Sequence, residues 1–138
     1  MIQYKKIPED IHERISALAD FLKEEKNIIF AYLFGGLARD RISPLSDVDI
    51  AVYVKSTKKL DYLELFSRVT DILGTDEVDL VVLNKSPESL TGRIIQHRKV
   101  LVDKEPFVRH RFESVELRKY FDFSIKEKAI LQRRYKIG

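Results

Sequence analysis

Three aspartates and a pair of glycines are the residues of this chain best suited to chemistry. Asp47 and Asp49 stand two apart in "SDVDIAVYV", and Asp79 sits near the start of "VDLVVLN". Residues two apart on a strand point to the same face, so Asp47 and Asp49 aim together, roughly 6–7 Å apart by strand rise. Two carboxylates so placed repel unless a cation lies between them. A divalent metal resolves that conflict, and two metals can bracket a phosphoryl group in transfer. Asp79 becomes a third carboxylate of the same site if its strand lies beside theirs. Ahead of the aspartates, Gly35-Gly36 ends an apolar run. Glycine there permits positive φ and lets a phosphate approach backbone N–H groups at a helix start. Each feature has an ordinary alternative: an acid at a strand end that reaches water, and a glycine pair that only turns the chain. Their combination at this spacing is what points to phosphate and metal.

The surrounding pattern supplies elements to position these residues. Pro8-Glu9-Asp10 reads as a helix start, and Ile11, Ile15, Leu18, Ala19 and Leu22 recur at helical spacing to about Lys26. Asn27–Gly35 is a short apolar run ended by glycine, hence a buried strand. Leu37–Ile42 reads as a short helical turn and Ser43–Ser46 as a loop. Asp47–Val54 is a second strand, with Val48 and Ile50 aimed at a helix on the face opposite the aspartates. Leu60–Gly74 is a helix with Leu60, Leu63, Phe66, Val69 and Leu73 on one side and glycine as its stop. Glu77–Asn84 is a third strand. Ser86–Asp103 opens on a Ser-Pro-Glu cap signal, is weakened by Gly92, and closes on the apolar "KVLVD". Phe107 to about Tyr135 is a long, basic, aromatic-studded helical pattern, broken or bent around Asp122-Phe123-Ser124. Helices and strands alternate throughout, which predicts an α/β (α+β) layer around a small sheet. The link from Phe34 to Asp47 is too short for a crossover helix, so the sheet is expected to be antiparallel or mixed.

Composition narrows the chemistry further. The 138 residues fit one domain, about 1–104 as a core and about 105–138 as a helical tail. No cysteine is present, which removes thiolate metal sites and suits a cytoplasmic home. His12, His97 and His110 share no metal-site spacing, so any metal should be held by oxygen, as Mg²⁺ is. The N-terminus lacks an apolar signal core, and no run is long enough to span a membrane. Charge is uneven. Residues 1–92 carry 12 Lys/Arg against 16 Asp/Glu, and residues 93–138 carry 13 against 6. The basic tail suits nucleic acid, an acidic partner or a nucleotide's phosphates, and equally an ordinary solvated helix face.

The stretch "GGLARDRISPLSDVDIAVYV" resembles the G-[SG]-x-A-R-x(6)-S-D-x-D-[IL] signature of the DNA polymerase β-like nucleotidyltransferase superfamily. It is most similar to the minimal nucleotidyltransferase (MNT) branch, the MntA-like antitoxins encoded beside HEPN-domain toxins. The "VDLVVLN" acid, the "RII" and "KVLV" segment and the aromatic tail also have counterparts there. The resemblance implies that Asp47 and Asp49 ligate Mg²⁺, two ions in all, on the triphosphate of ATP. It implies that Asp79 completes the metal site and helps activate the accepting hydroxyl. Gly35 and Gly36 would hold phosphate. Arg39 would neutralise phosphate charge, or equally pair with Asp40. Ser46 would orient the loop or act as a cap.

The resemblance further implies an antitoxin that moves AMP from ATP to a tyrosine hydroxyl of its HEPN RNase toxin. Two features depart from the pattern. Gly36 replaces the usual serine and removes one hydrogen-bond donor, worth about 0.5–1.5 kcal/mol. Asp40 replaces a common glycine and adds negative charge near the phosphates. These leave open a non-catalytic antitoxin that neutralises its toxin by binding. A small-molecule nucleotidyltransferase, of the aminoglycoside-modifying kind, generally needs an added substrate domain. The tail mixes Phe107, Phe112, Tyr120, Phe121, Phe123 and Tyr135 with arginine and lysine, a composition of protein interfaces. The same residues also suit packing on the domain's own sheet, or base stacking.

Overall fold

The apolar runs assemble as a four-stranded sheet with helices on both faces. The computed structural model describes residues 8–38 and 48–135. Its elements are α1 (Ile11–Glu24), β1 (Ile28–Phe34), α2 (Gly35–Ala38), β2 (Val48–Val54), α3 (Tyr62–Leu73) and β3 (Val78–Val82). A 3-10 turn (Leu83–Lys85), α4 (Glu88–His97), β4 (Lys99–Asp103) and α5 (Pro106–Tyr135) follow. Arg39, Asp40, Ser46 and Asp47 lie outside the described residues. The helical turn expected from Leu37 begins two residues earlier, at Gly35.

Strand order is β3-β2-β1-β4. β1 runs antiparallel to both β2 and β4, while β2 and β3 are parallel. The sheet is therefore mixed. The short link after β1 allows only an antiparallel return, whereas α3 supplies the crossover a parallel pair requires.

Period-two alternation divides the strands between two cores. Val48, Ile50, Val52 and Val54, with Ala31 and Leu33, face α1 and α3 and pack with Ile11, Ile15, Leu18, Leu22, Leu65, Val69 and Leu73. Phe30, Tyr32 and Ala51 face the other way, toward Ile94 and Ile95 of α4 and Phe112 and Leu117 of α5. Each buried Leu, Ile or Val contributes about 1.5–3 kcal/mol. One residue departs from the expected stripe: Leu63 is 76% exposed. The row Leu65, Val69, Leu73 at i, i+4 spacing faces the sheet, and Leu63 lies on the far side of that row. α3 is bounded as its sequence suggests. The Asp61 carboxylate accepts the Glu64 N–H at 3.1 Å, and Gly74 ends the helix at φ +71°. Ser86, by contrast, does not cap α4. Its hydroxyl bonds the Leu83 carbonyl and contacts the Thr91 hydroxyl.

The first part of α5 is fastened to the sheet by rings and by charge. Phe30 and Tyr53 stack at 4.8 Å, and the Phe112 ring tilts against both, at 5.6 and 5.0 Å. Beside them Glu113 gathers three donors. The Tyr32 hydroxyl and Arg98 Nε each donate to Oε2 at 2.6 Å, and Arg109 Nη1 donates to Oε1 at 3.0 Å. Burial by itself would raise the Glu113 carboxyl, but the bonds from Arg98 and Tyr32 and the two guanidinium charges outweigh it and hold it below its ordinary range. Burial, and then Glu113, push the Tyr32 phenol far above its ordinary value. Gly92 is a packing residue and no mere weak point of α4. A Cβ there would lie 2.3 Å from the Tyr120 ring, so its absence lets α5 lie close along α4.

Beyond Tyr120 α5 continues through Asp122-Phe123-Ser124 without the expected break. Every residue from Phe121 to Arg134 is exposed, so this half of the helix reaches past the body. At 1.5 Å per residue it is about 20 Å long. No helix among the described residues is long and apolar enough to cross a membrane.

Candidate functional site

Asp49 and Asp79 are register partners on the parallel strands β2 and β3. Their side chains therefore leave the same face of the sheet one strand spacing apart, about 4.8 Å. That face is the one carrying Ala51 and Tyr53, while Val48 and Ile50 are fully buried on the other, as the alternation requires. On the opposite flank of Asp49 its antiparallel partner is Phe34, the residue just before Gly35. The ends of β1, β2 and β3 thus bring the glycine turn and two of the three aspartates together at one end of the sheet.

Gly35 is required twice over. Its φ of +71° lies in the left-handed region that favours glycine. A Cβ built on it would also lie 2.0 Å from Oδ2 of Asp49 and 2.9 Å from Cγ. The carboxylate therefore rests against bare main chain that no other residue can supply. Leu37, only 1% exposed, anchors the turn in the α1/α3 core. On the outer side of Asp79, the hydroxyl of Tyr62 donates to the Leu80 carbonyl at 2.7 Å and covers part of the β3 edge. Burial, and then the charge of Asp79, push the Tyr62 phenol above its ordinary value.

The donor set fits a hard divalent cation. Both carboxylates offer oxygen, they lie on one face, and the missing Cβ of Gly35 leaves the Asp49 carboxylate its place beside the turn. Among the described residues no group of three or more acidic or histidine side chains gathers, and Asp47, the third expected ligand, is outside them. Gly36 follows Gly35 in the turn and is half-buried; Arg39 and Ser46 fall outside the described residues.

Two side chains given no site role from the sequence stand at the same turn. Arg93 and His97 of α4, with Leu90, Ile94, Phe34 and Gly35, line an open cleft of about 300 Å³. Their advance signals are the "RII" segment that begins at Arg93 and the i, i+4 spacing on α4, beside the apolar Leu90 and Ile94 on the same side of the helix.

Comparison with known proteins places the fold in a family. The family model described as polymerase beta, nucleotidyltransferase matches residues 16–107. No curated protein matches the chain. Among solved structures, a toxin–antitoxin complex with AMP-PNP contains a similar chain, with TM-score 0.70, 23% identity, and coverage of 88% of this chain and 98% of the other. A second is a tri-AMPylated HEPN toxin in complex with MNT antitoxin from Shewanella oneidensis, with TM-score 0.68, 23% identity, and coverage of 90% and 98%. A third, a point mutant of the toxin–antitoxin MntA–HpeT, gives TM-score 0.68 at 25% identity and covers 90% and 96%. Shared fold and a family match across most of the chain lead to one assignment: this protein belongs to the polymerase β nucleotidyltransferase family.

Proposed function

We propose that this protein is the antitoxin of a toxin–antitoxin pair and acts as a Mg²⁺-dependent nucleotidyltransferase on its partner. It transfers AMP from ATP to a tyrosine hydroxyl of a HEPN-type RNase toxin. The observation that carries the reading is the pairing of Asp49 with Asp79 beside a glycine turn whose missing Cβ makes room for the Asp49 carboxylate. Asp47, Asp49 and Asp79 would hold Mg²⁺, which supplies charge neutralisation for the triphosphate. Gly35 and Gly36 would let the phosphates approach the main chain, with Arg39 and Ser46 nearby in sequence. In the transfer the tyrosine oxygen bonds to the α-phosphorus, the bond to the bridging oxygen breaks, and pyrophosphate leaves. The phenolic proton passes to Asp79 as general base.

The partner-facing surface in this reading is the outer half of α5. Val108, Phe112 and Tyr120 face the body, and the same side of the helix continues past it at Phe123 and Ile130, 52% and 58% exposed. Lys126, Lys128, Arg133 and Arg134 outnumber Asp122 and Glu127 along it, which suits an acidic helical surface. A second reading, neutralisation by binding alone, is favoured by Gly36, which lacks the hydroxyl donor of the family pattern.

One experiment separates the two. The purified protein is incubated with α-labelled ATP, Mg²⁺ and the helical protein encoded beside it. Label on a partner tyrosine, lost in Asp49→Asn and Asp79→Asn, supports transfer. An unlabelled partner that is still neutralised by both variants supports binding alone.

A further inference from the structure

The cleft on the α4 side of Gly35 has no part in the roles given so far. Its lining residues on α4 are Leu90, Arg93, Ile94 and His97, at i, i+3, i+4 and i+7, so a single helix face forms one wall. Phe34 and Gly35 form the other. Arg93 is exposed and makes no ion pair or hydrogen bond among the described residues. A guanidinium with no carboxylate partner among the described residues, on the wall of a cleft that Phe34 and Gly35 close on the other side, is suited to an anion small enough to touch main chain. The planar fork of arginine meets phosphate oxygens in pairs, which a lysine ammonium cannot do. Leu90, Ile94 and Phe34 remove water from part of that space, and charge attraction strengthens where water is excluded.

Position gives the cleft its meaning. Gly35 belongs to both: it lines the cleft together with Arg93, and its main chain lies against the Asp49 carboxylate. A polyphosphate lying along the turn would meet carboxylate-held cations beside Asp49 and the Arg93 guanidinium in the cleft. We propose that the cleft is a polyphosphate subsite and that Arg93 contacts the phosphates beyond the α-phosphate of the bound nucleotide, with His97 on the same wall. This rests on the nucleotidyltransferase reading above and adds a residue to it from an element that carries none of the aspartates.

The test is equilibrium binding of ATP, ADP and AMP, each with Mg²⁺, to the full chain, to Arg93→Ala, to Arg93→Lys and to Asp79→Asn, with thermal melts as a folding control. Arg93→Ala is expected to weaken ATP by about ten- to a hundredfold, the value of a charge-assisted hydrogen-bond contact, and AMP by less than about twofold. Arg93→Lys should fall between it and the native protein. Equal ATP binding by native protein and Arg93→Ala, with binding lost in Asp79→Asn, would overturn the subsite and leave the transferase reading standing. Equal weakening of all three nucleotides by Arg93→Ala would overturn it too, since a contact beyond the α-phosphate cannot act on AMP. A native chain that binds none of the three would overturn both.

Discussion

Alanine at Gly35 and at Gly74 makes a matched pair of perturbations. Both glycines have φ +71°, so each substitution forces an alanine into the left-handed region at a cost of about 1–2 kcal/mol. For a chain of this size that lowers Tm by about 3–8 °C in either variant. The two then part. At Gly74 the new methyl meets the guanidinium of Arg14 at 2.5 Å, the far end of a flexible side chain whose bonds to Asp10 and to the Ile72 carbonyl can be exchanged for water as it swings away. At Gly35 it meets the Asp49 carboxylate at 2.0 Å, against an ordinary contact of 3.4 Å or more, so the carboxylate must retreat by about 1.4 Å. Misplacement of a reacting group by 1 Å can cost about a hundredfold in rate. The expected outcome is two proteins of similar stability, of which Gly74→Ala transfers label to the partner at the native rate and Gly35→Ala is slower by about a hundredfold or more. The assay is initial-rate transfer from labelled ATP, with melts recorded on the same preparations. Native-like transfer by Gly35→Ala, at the stability of Gly74→Ala, would refute the claim that the glycine turn sets the position of Asp49.

Other consequences follow from the same contacts. Gly92→Ala should destabilise by about 1–3 kcal/mol despite alanine's better helix propensity, and Tyr120→Ala in the same chain should recover part of that, as a double-mutant cycle in denaturant melts would show. Removing the Glu113 charge with Glu113→Gln leaves Arg98 without its acid and Arg109 with Asp103 alone, and should cost about 1–3 kcal/mol at neutral pH. The pH dependence has a definite sign. The folded carboxyl of Glu113 lies below its ordinary value of 4.5, so its contribution is complete above that value and is lost as pH falls through the folded pKa. Stability measured from pH 7 downward should therefore fall less steeply in Glu113→Gln than in the native chain. Chelation of divalent metal should abolish transfer to the partner, and restored Mg²⁺ should return it.

Much of this architecture was legible from residue types alone. Val48, Ile50, Val52 and Val54 against Asp49 announce a strand with one apolar face, and Ile11, Ile15, Leu18 and Leu22 announce the helix that covers it. The alignment of Asp49 with Asp79 was not legible. It depends on β3 lying parallel to β2 after a long helical crossover, and local pattern does not specify such pairing. The α5 expectation failed for a related reason. Asp122 and Ser124 are modest helix formers, each costing only a few tenths of a kcal/mol, and they do not interrupt a helix whose neighbours favour it. The apolar pattern becomes less regular there because the helix has left the sheet, which no longer dictates which positions are apolar. Leu63 was misassigned because a leucine at helical spacing says nothing about which of two adjacent rows meets the core. Arg93 and His97 carried no site role in the sequence, since their place beside Gly35 comes from the fold.

The central claim is that Asp49 and Asp79 act together in nucleotidyl transfer to a protein partner. Intact-mass measurement of the partner after incubation with the native chain, Asp79→Asn and ATP–Mg²⁺ tests it most directly. The account predicts adenylyl-sized increments on the partner with the native chain and none with Asp79→Asn, although that variant is expected to fold. The same increments with Asp79→Asn, or an unmodified partner in complex with the native chain, would contradict it.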